Sequence, residues 1–257
     1  MRLLNAHLGL VFVFLYGPIA VLMVLSFNKA GLPTAWTGFS TEWYGALWAD
    51  ETIRSAALNT LIVAVFSTLI ATALGTLLAI AVERGEGVHP ALDALLFAPM
   101  IIPDIVLAIA LLSFFTLVQF TLGLHSIILA HVVFNIAFVC AVVRTRLRGF
   151  DTSVLEASED LGASPFQTFW RIRLPIILPG VIAGALLAFT LSVDEFIIAF
   201  FTAGAGASST TLPMRIYSMI RFGVTPEINA LATVVMLFAF TMVFAAQRFG
   251  RGVVGTP

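Results

Sequence analysis

The chain has 257 residues, 60% of them hydrophobic and 11% charged, with a mean hydropathy of +1.05; a soluble domain carries about 25% charge, so this chain lacks the polar surface to cover a water-soluble globule. Its formal net charge of −1 gives nucleic-acid binding no electrostatic support. The single cysteine, Cys140, flanked by Phe138, Val139 and Ala141, excludes an intrachain disulfide and a cysteine-based metal site and reads as inert packing.

A helix that crosses a bilayer needs about 20 mostly apolar residues. Six segments qualify, near 8–28, 57–82, 94–119, 124–143, 177–201 and 228–247. The first is longer than the ~7–15 apolar residues of a secretion-signal core, and no small-x-small cleavage site follows at Asn28-Lys29-Ala30, so it reads as a retained span. The loop at 29–56 carries Trp36, Trp43, Tyr44 and Trp48, which suit an interfacial aromatic belt better than a partner site. A short polar loop at 83–93 leads to the third segment, where Pro99 and Pro103 each remove a backbone donor and predict a kink or break. Broken backbone at membrane depth is tolerated only inside protein or beside water, so this region is expected to face a helix interface or a translocation path. A tight turn at Leu122-Gly123-Leu124 precedes the fourth segment. A longer loop follows it at 144–176, and a flexible Gly204, Gly206, Ser208, Ser209 run opens the loop before the last segment. No internal repeat is visible, which disfavours a secondary carrier built of duplicated halves.

Lys and Arg set the orientation. With the N-terminus inside, the inner segments hold Arg2, Arg84, Arg144, Arg146, Arg148, Arg171, Arg173, Arg248 and Arg251, against Lys29, Arg54, Arg215 and Arg221 outside. Both termini and the 144–176 loop are therefore expected in the cytoplasm. The prediction is an all-α integral membrane protein, one domain over 1–257, with six spans.

The 144–176 loop is the richest segment. Arg144, Arg146 and Arg148 read as a positive-inside anchor. Ser153 with Glu156 three residues on matches a capping box, so a short helix is predicted through Gly162, which can end it left-handed. Glu156 and Asp160 fall on one face, and Ala157 and Ser158 are small enough to admit a partner's backbone. Ser164-Pro165 predicts a second helix with proline in its first turn. The plain alternative is a solvated loop; the functional one is a docking element for a soluble partner.

Enzyme signatures do not appear. The chain has no G-x-x-x-x-G-K-[ST] run, H-E-x-x-H or G-x-S-x-G. His125 and His131, six apart, fall on different helix faces and do not form a metal pair. The intramembrane acids are more informative. Asp104 follows Pro103, and Asp194 and Glu195 lie toward the end of the fifth segment, while no basic residue lies in any span. A charge inside a span usually faces a cavity and marks a pathway. These acids could instead cap helices or pair with Arg215 or Arg221. As a path they favour a cation and disfavour sulfate or phosphate. Adjacent residues point about 100° apart, so Asp194 and Glu195 do not both face one lumen squarely. Tyr16 and Phe196 are candidate cation–π contributors.

Glu156-Ala157-Ser158, Gly162, Ile172, Leu174 and Pro175 have the spacing of the EAA loop of ABC-importer permeases, with Ser158 in place of the usual second alanine. Six spans with this loop between the fourth and fifth resemble the type I permease layout. Ser26-Phe27-Asn28, Pro103-Asp104-Ile105-Val106, Phe150-Asp151, Asp160-Leu161-Gly162-Ala163-Ser164, Thr190-Leu191-Ser192 with the acids after it, and Pro226-Glu227-Ile228-Asn229-Ala230-Leu231-Ala232-Thr233 look like spermidine/putrescine permeases. The resemblance runs from about Ser26 to Thr233.

It implies a multi-pass permease of the bacterial inner membrane that is not itself an enzyme and holds no cofactor. ATP and Mg would sit on two partner ATPase subunits, into which the segment around Glu156, Ala157, Ser158, Asp160, Gly162, Leu174 and Pro175 would dock. A second permease chain, a sister, and a periplasmic substrate-binding protein would complete the importer. Asp104, Asp194 and Glu195 would line the polyamine path. The rival readings are a permease for ferric iron, thiamine or an opine-like compound, and an ion-coupled carrier using Asp104 and Asp194 as proton sites.

Overall fold

A computed structural model describes residues 2–29, 36–83, 90–149 and 151–253; Arg84 and Phe150, used above, lie outside the described residues. Among those described the chain is helical, and its only β contact is an isolated bridge between Asn28 and Phe39. The helices are α1 (Arg2–Leu25), α2 (Glu42–Ala49), α3 (Glu51–Glu83), α4 (Pro90–Ile101), α5 (Asp104–Leu117), α6 (Leu124–Arg148), α7 (Ser153–Asp160), α8 (Pro165–Thr168), α9 (Leu174–Asp194), α10 (Ile197–Thr202), α11 (Leu212–Ile220) and α12 (Pro226–Val253). Four helical stretches are long and apolar enough to cross a membrane, or five if α4 and α5 count as one broken span.

Two of the expected spans are not single helices. The segment at 94–119 divides into α4 and α5, bent by 114° at Ile102–Pro103. Proline disfavours helical backbone in the residue before it, and Pro103 itself is extended, with ψ 136. Pro99, by contrast, is accommodated inside α4. At ~1.5 Å per residue neither piece reaches across a bilayer alone. The segment at 177–201 is interrupted at Glu195–Phe196, where α9 ends and α10 begins. It also starts earlier than expected. α8 runs through a π-turn at Phe169–Arg173 into α9, giving one 30-residue stretch, Pro165–Asp194. Pro175 lacks a backbone donor, and the wider turn just before it, closed by the Leu174 amide on the Phe169 carbonyl, absorbs the misfit.

The chain forms two compact units. One comprises residues 1–55 with 215–248. Its α1 is apolar all round and exposed along its length, as suits a helix facing lipid or another chain. The segment after α1 is fastened by polar contacts. The Ser26 hydroxyl lies 2.7 Å from the Tyr44 hydroxyl, Trp43 Nε1 donates to the Asn28 carbonyl at 2.9 Å, and Phe27 stacks on Phe39. Trp43 and Tyr44 thus spend their polar tips on the chain itself, whereas Trp36 and Trp48 remain exposed as a belt requires. Asp50 starts α3, accepting from the Thr52 amide and hydroxyl at 2.7 Å, and meets Arg215 at 3.6 Å.

The other unit comprises residues 56–214 with 249–257, and is built on α3, α6 and α9. Without a hydrophobic drive between helices in lipid, close packing of small residues holds such a bundle together. A Cβ on Gly75 would lie 2.8 Å from Val139 Cβ, one on Gly184 3.3 Å from Val139 Cγ1, and one on Gly180 2.9 Å from Arg146 Cβ. Three layers follow along the bundle: Ser67, His131 and Ser192; then Ala71, Asn135 and Ala188; then Gly75, Val139 and Gly184. Equal steps of four place α3 and α6 parallel and α9 antiparallel to them. At one end of this bundle Arg144 donates to Asp93 at 2.7 Å, forms an ion pair with Glu83 at 3.5 Å, and lies over the Phe97 ring. Arg144 is therefore an internal tie among α3, α4 and α6 rather than a free anchor, its side chain only 14% exposed. α5 and α10 pack on α6 around Ala108, Phe115, Ala130, Phe134 and Ile198.

Candidate functional site

The three acids come together at the two helix breaks of the second unit. Asp104 is the first residue of α5, Asp194 the last of α9, and Glu195 the extended residue that follows. Glu195 lies close enough to interact electrostatically with both Asp104 and Asp194. Glu195 and Asp104 are partly buried, and Asp194 is exposed. No salt bridge among the described residues involves any of the three. Arg215, one candidate partner, is engaged with Asp50 in the other unit. The helix-capping alternative holds for Glu195, whose carboxylate reaches over Phe196 to accept the Ile198 amide at the start of α10. Phe196 lies in the break itself, its ring 5.4 Å from that of Phe200. Tyr16 belongs to the first unit, exposed on α1 and stacked on Phe12 at 5.7 Å.

Three carboxylates held near one another without a base form a negative cluster. Each broken helix leaves backbone groups without helical partners; the end of α9 adds partial negative charge, and the N-termini of α5 and α10, beside Asp104 and Glu195, add partial positive charge. The arrangement suits a ligand with more than one positive charge.

Sequence reasoning missed what lies beneath the acids. Ser192, two residues before Asp194, is 2.7 Å from His131 Nδ1 and 3.0 Å from the Ser67 hydroxyl, and all three are buried. His131 Nε2 and both polar atoms of the fully buried Asn135 find no partner among the described residues; an unpaired buried polar group costs about 1–3 kcal/mol. The signal was available. His131 and Asn135 stand at i, i+4 in an apolar helix, and Ser192 lies two residues before the first of the paired acids.

The Glu156 loop is built by local chemistry. α7 begins at Ser153, but Ser153 does not cap it. The Asp151 carboxylate accepts the Ser153 amide instead, at 3.0 Å, and bonds to Ser153 hold the Asp151 carboxyl below its usual range. The capping box lies at the second helix: Gln167 N–H donates to Ser164 Oγ at 3.3 Å while Gln167 Oε1 accepts the Ser164 amide at 3.0 Å. α7 closes as the sequence suggests. Gly162 takes φ 82, its amide bonds the Glu159 carbonyl, and the Ala163 amide bonds the Ser158 carbonyl, the double bond of a Schellman end.

Ser158 points inward, 2.9 Å from the Thr168 hydroxyl and buried, so it joins α7 to α8. Glu156, Ala157, Asp160 and Gly162 face outward; Leu174 is partly buried and Pro175 exposed. Beside them stand apolar residues that sequence reasoning did not single out: Leu161, Phe166 and Trp170 are 89%, 72% and 53% exposed. A rigid helical hairpin with an acidic face and bare apolar tips has the character of a docking surface.

Binding-protein-dependent transport system inner membrane components match as a family over residues 71–251. Over 242 residues the chain is 42% identical to the spermidine/putrescine transport system permease protein PotC of Escherichia coli, covering 94% of this chain and 91% of that one. It is also 42% identical to the putrescine transport system permease protein PotI of the same organism, over 88% and 82% of the two chains. Among solved structures, a chain of a bacterial ABC transporter involved in import of the acidic polysaccharide alginate superposes with a TM-score of 0.78 at 17% identity, over 98% of this chain and 96% of that one. A chain of the MetNI methionine ABC transporter gives 0.65 at 21% identity, over 84% and 100%.

Proposed function

This chain belongs to the family of binding-protein-dependent transport system inner membrane components, and from that premise we infer that it is a permease subunit of an ABC importer for polyamines. It is a multi-pass protein of the inner membrane and not itself an enzyme. The observation that carries the cargo is the similarity to PotC and PotI along nearly the whole chain. The acid cluster without an opposing base agrees with it in charge.

Six spans, with both termini in the cytoplasm, form a single permease domain over 1–257. α12 supplies the sixth span, and the broken pair α4–α5 the third. The count of Lys and Arg supports this orientation. Two ATPase subunits carry ATP and Mg, a sister permease completes the membrane part, and a periplasmic binding protein delivers the cargo.

The face of Glu156, Ala157, Asp160 and Gly162, with the exposed tips around it, docks into the ATPase. Ser158, Leu174 and Pro175 set the shape of that hairpin. The 30 residues from Pro165 to Asp194 span about 45 Å at ~1.5 Å per residue. One helical rod therefore joins the docking hairpin to the acids. ATP-driven closure of the ATPases pushes this rod and changes the side on which Asp104, Asp194 and Glu195 are open. Phe196, at the break, can add a cation–π contact.

Uptake of labelled spermidine by the reconstituted complex tests this reading. It should require ATP and be blocked by excess putrescine but not by thiamine or ferric iron. Spermidine uptake driven by a proton gradient without ATP would overturn it. Glu156→Lys tests the docking face: ATPase co-purification and uptake should both fall, and unchanged values would remove Glu156 from the interface.

A further inference from the structure

We propose that His131 is a positioning residue for the polyamine path, acting through Ser192 on the end of α9. The proposal rests on the assignment of Asp194 and Glu195 to that path. α9 must stop at a fixed level for its last residue, Asp194, and the following Glu195 to meet Asp104 at the start of α5. Nothing in the local sequence stops it there. The break has no proline or glycine, and Leu191-Ser192-Val193 would continue a helix.

The side chain that fixes α9 just before the break is Ser192. Its hydroxyl is held between His131 Nδ1 of α6 at 2.7 Å and the Ser67 hydroxyl of α3 at 3.0 Å. One bond chain thus ties the end of α9 to two other helices. The anchor side is rigid. Four residues further into the bundle Ala71, Asn135 and Ala188 are fully buried, and eight residues further a methyl added at Gly75 or Gly184 would meet Val139 at 2.8 or 3.3 Å. An apolar residue at 131 would pack in this core at lower cost than a buried imidazole, so the histidine is not there for packing. His131 lies below the acids and is 1% exposed, which excludes it from touching cargo.

The test measures spermidine uptake against concentration in the ATP-energised complex, with assembly scored by co-purification. His131→Phe fills the volume and removes the bond to Ser192. It should raise the half-saturating spermidine concentration about tenfold, equivalent to ~1.4 kcal/mol, with assembly and maximal uptake nearly unchanged. His131→Asn, which returns a polar atom near the place of Nδ1, should recover most of the loss. His131→Gln, whose amide reaches toward the place of Nε2, should not. Ser67→Ala, losing one hydroxyl, should give a smaller rise in the same direction.

Equal losses in the Phe, Asn and Gln variants would mean a structural role and overturn the proposal. An unchanged half-saturating concentration in His131→Phe, with a raised one in Asp194→Asn, would overturn the positioning claim alone. An unchanged value in Asp194→Asn would remove the path assignment and this proposal with it. Should His131→Phe fail to assemble, Ser67→Ala decides: a raised value supports the bond chain, and an unchanged one overturns it.

Discussion

The breaks at Ile102–Pro103 and at Glu195–Phe196 bring acids to the same place by different chemistry. At the first, proline disfavours helical backbone in the residue before it, and the chain restarts at Asp104 with no side-chain cap. The second has no residue that forbids a helix. There a carboxylate accepts a backbone amide of the next helix, and a bond chain from α3 and α6 holds the helix before it. One break is enforced by covalent geometry and the other by side-chain contacts. The acid of the first caps no amide and only complements the positive end of α5, whereas Glu195 carries both a charge and a helix start.

Substitutions can separate these duties. The largest effect is expected for Glu195→Ala, which removes the charge together with a cap worth about 1 kcal/mol. Spermidine uptake should fall about tenfold or more, with a lower melting temperature of the purified complex. Glu195→Gln keeps an acceptor, so the melting temperature should return while uptake stays low. Recovery of both would show that the charge contributes nothing. Asp104→Asn comes next. Uptake affinity should drop several-fold, roughly 1 kcal/mol, with only a small change in melting, because the Asp104 carboxylate caps no amide.

Pro103→Ala should act more weakly, since α4 and α5 remain packed on α6 by other contacts. Spin labels on α4 and α5 should move apart as the bend relaxes, and an unaltered distance would mean that packing alone keeps the bend. The smallest effect belongs to Asp50, which starts α3 by the same carboxylate-to-amide device outside the spans. The Thr52 hydroxyl first, then the Thr52 and Ile53 amides and Arg215, hold its carboxyl below the usual range against the opposing pull of burial. A lowered folded value means that its contribution is complete above the ordinary carboxylate range and lost only as pH falls through that lowered value. Asp50→Asn should therefore shift the melting temperature slightly, and by the same amount at about pH 7 and pH 5.

What the sequence disclosed follows this division between covalent and contact-made features. Pro103, Gly162 and Ser164-Pro165 restrict their own backbone, so the first break, the end of α7 and the start of α8 could be read directly. The acids could be read because charge is conspicuous in an apolar run. The break at Glu195 was hidden, because its cause lies in residues 67 and 131, which are distant in sequence. Ser153 and Glu156 match a capping-box pattern, but the Asp151 carboxylate takes the Ser153 amide and the box forms at Ser164. Ser158 looked like a surface residue by size and polarity; only the fold reveals Thr168 opposite it. Length alone could not tell that the second loop helix and the fifth span are one rod, because Pro175 resembles a stop and a π-turn accommodates it.

The glycine seam among α3, α6 and α9 has a consequence for motion. Backbones that touch at Gly75, Gly180 and Gly184 cannot slide past one another without collision. Within this unit a change of shape must be taken up elsewhere, and backbone hydrogen bonding already lapses at the two breaks. The hinges of the unit are then the peptide units that bear Asp104, Asp194 and Glu195, so any swing of α5 or α10 also changes the spacing of the charges.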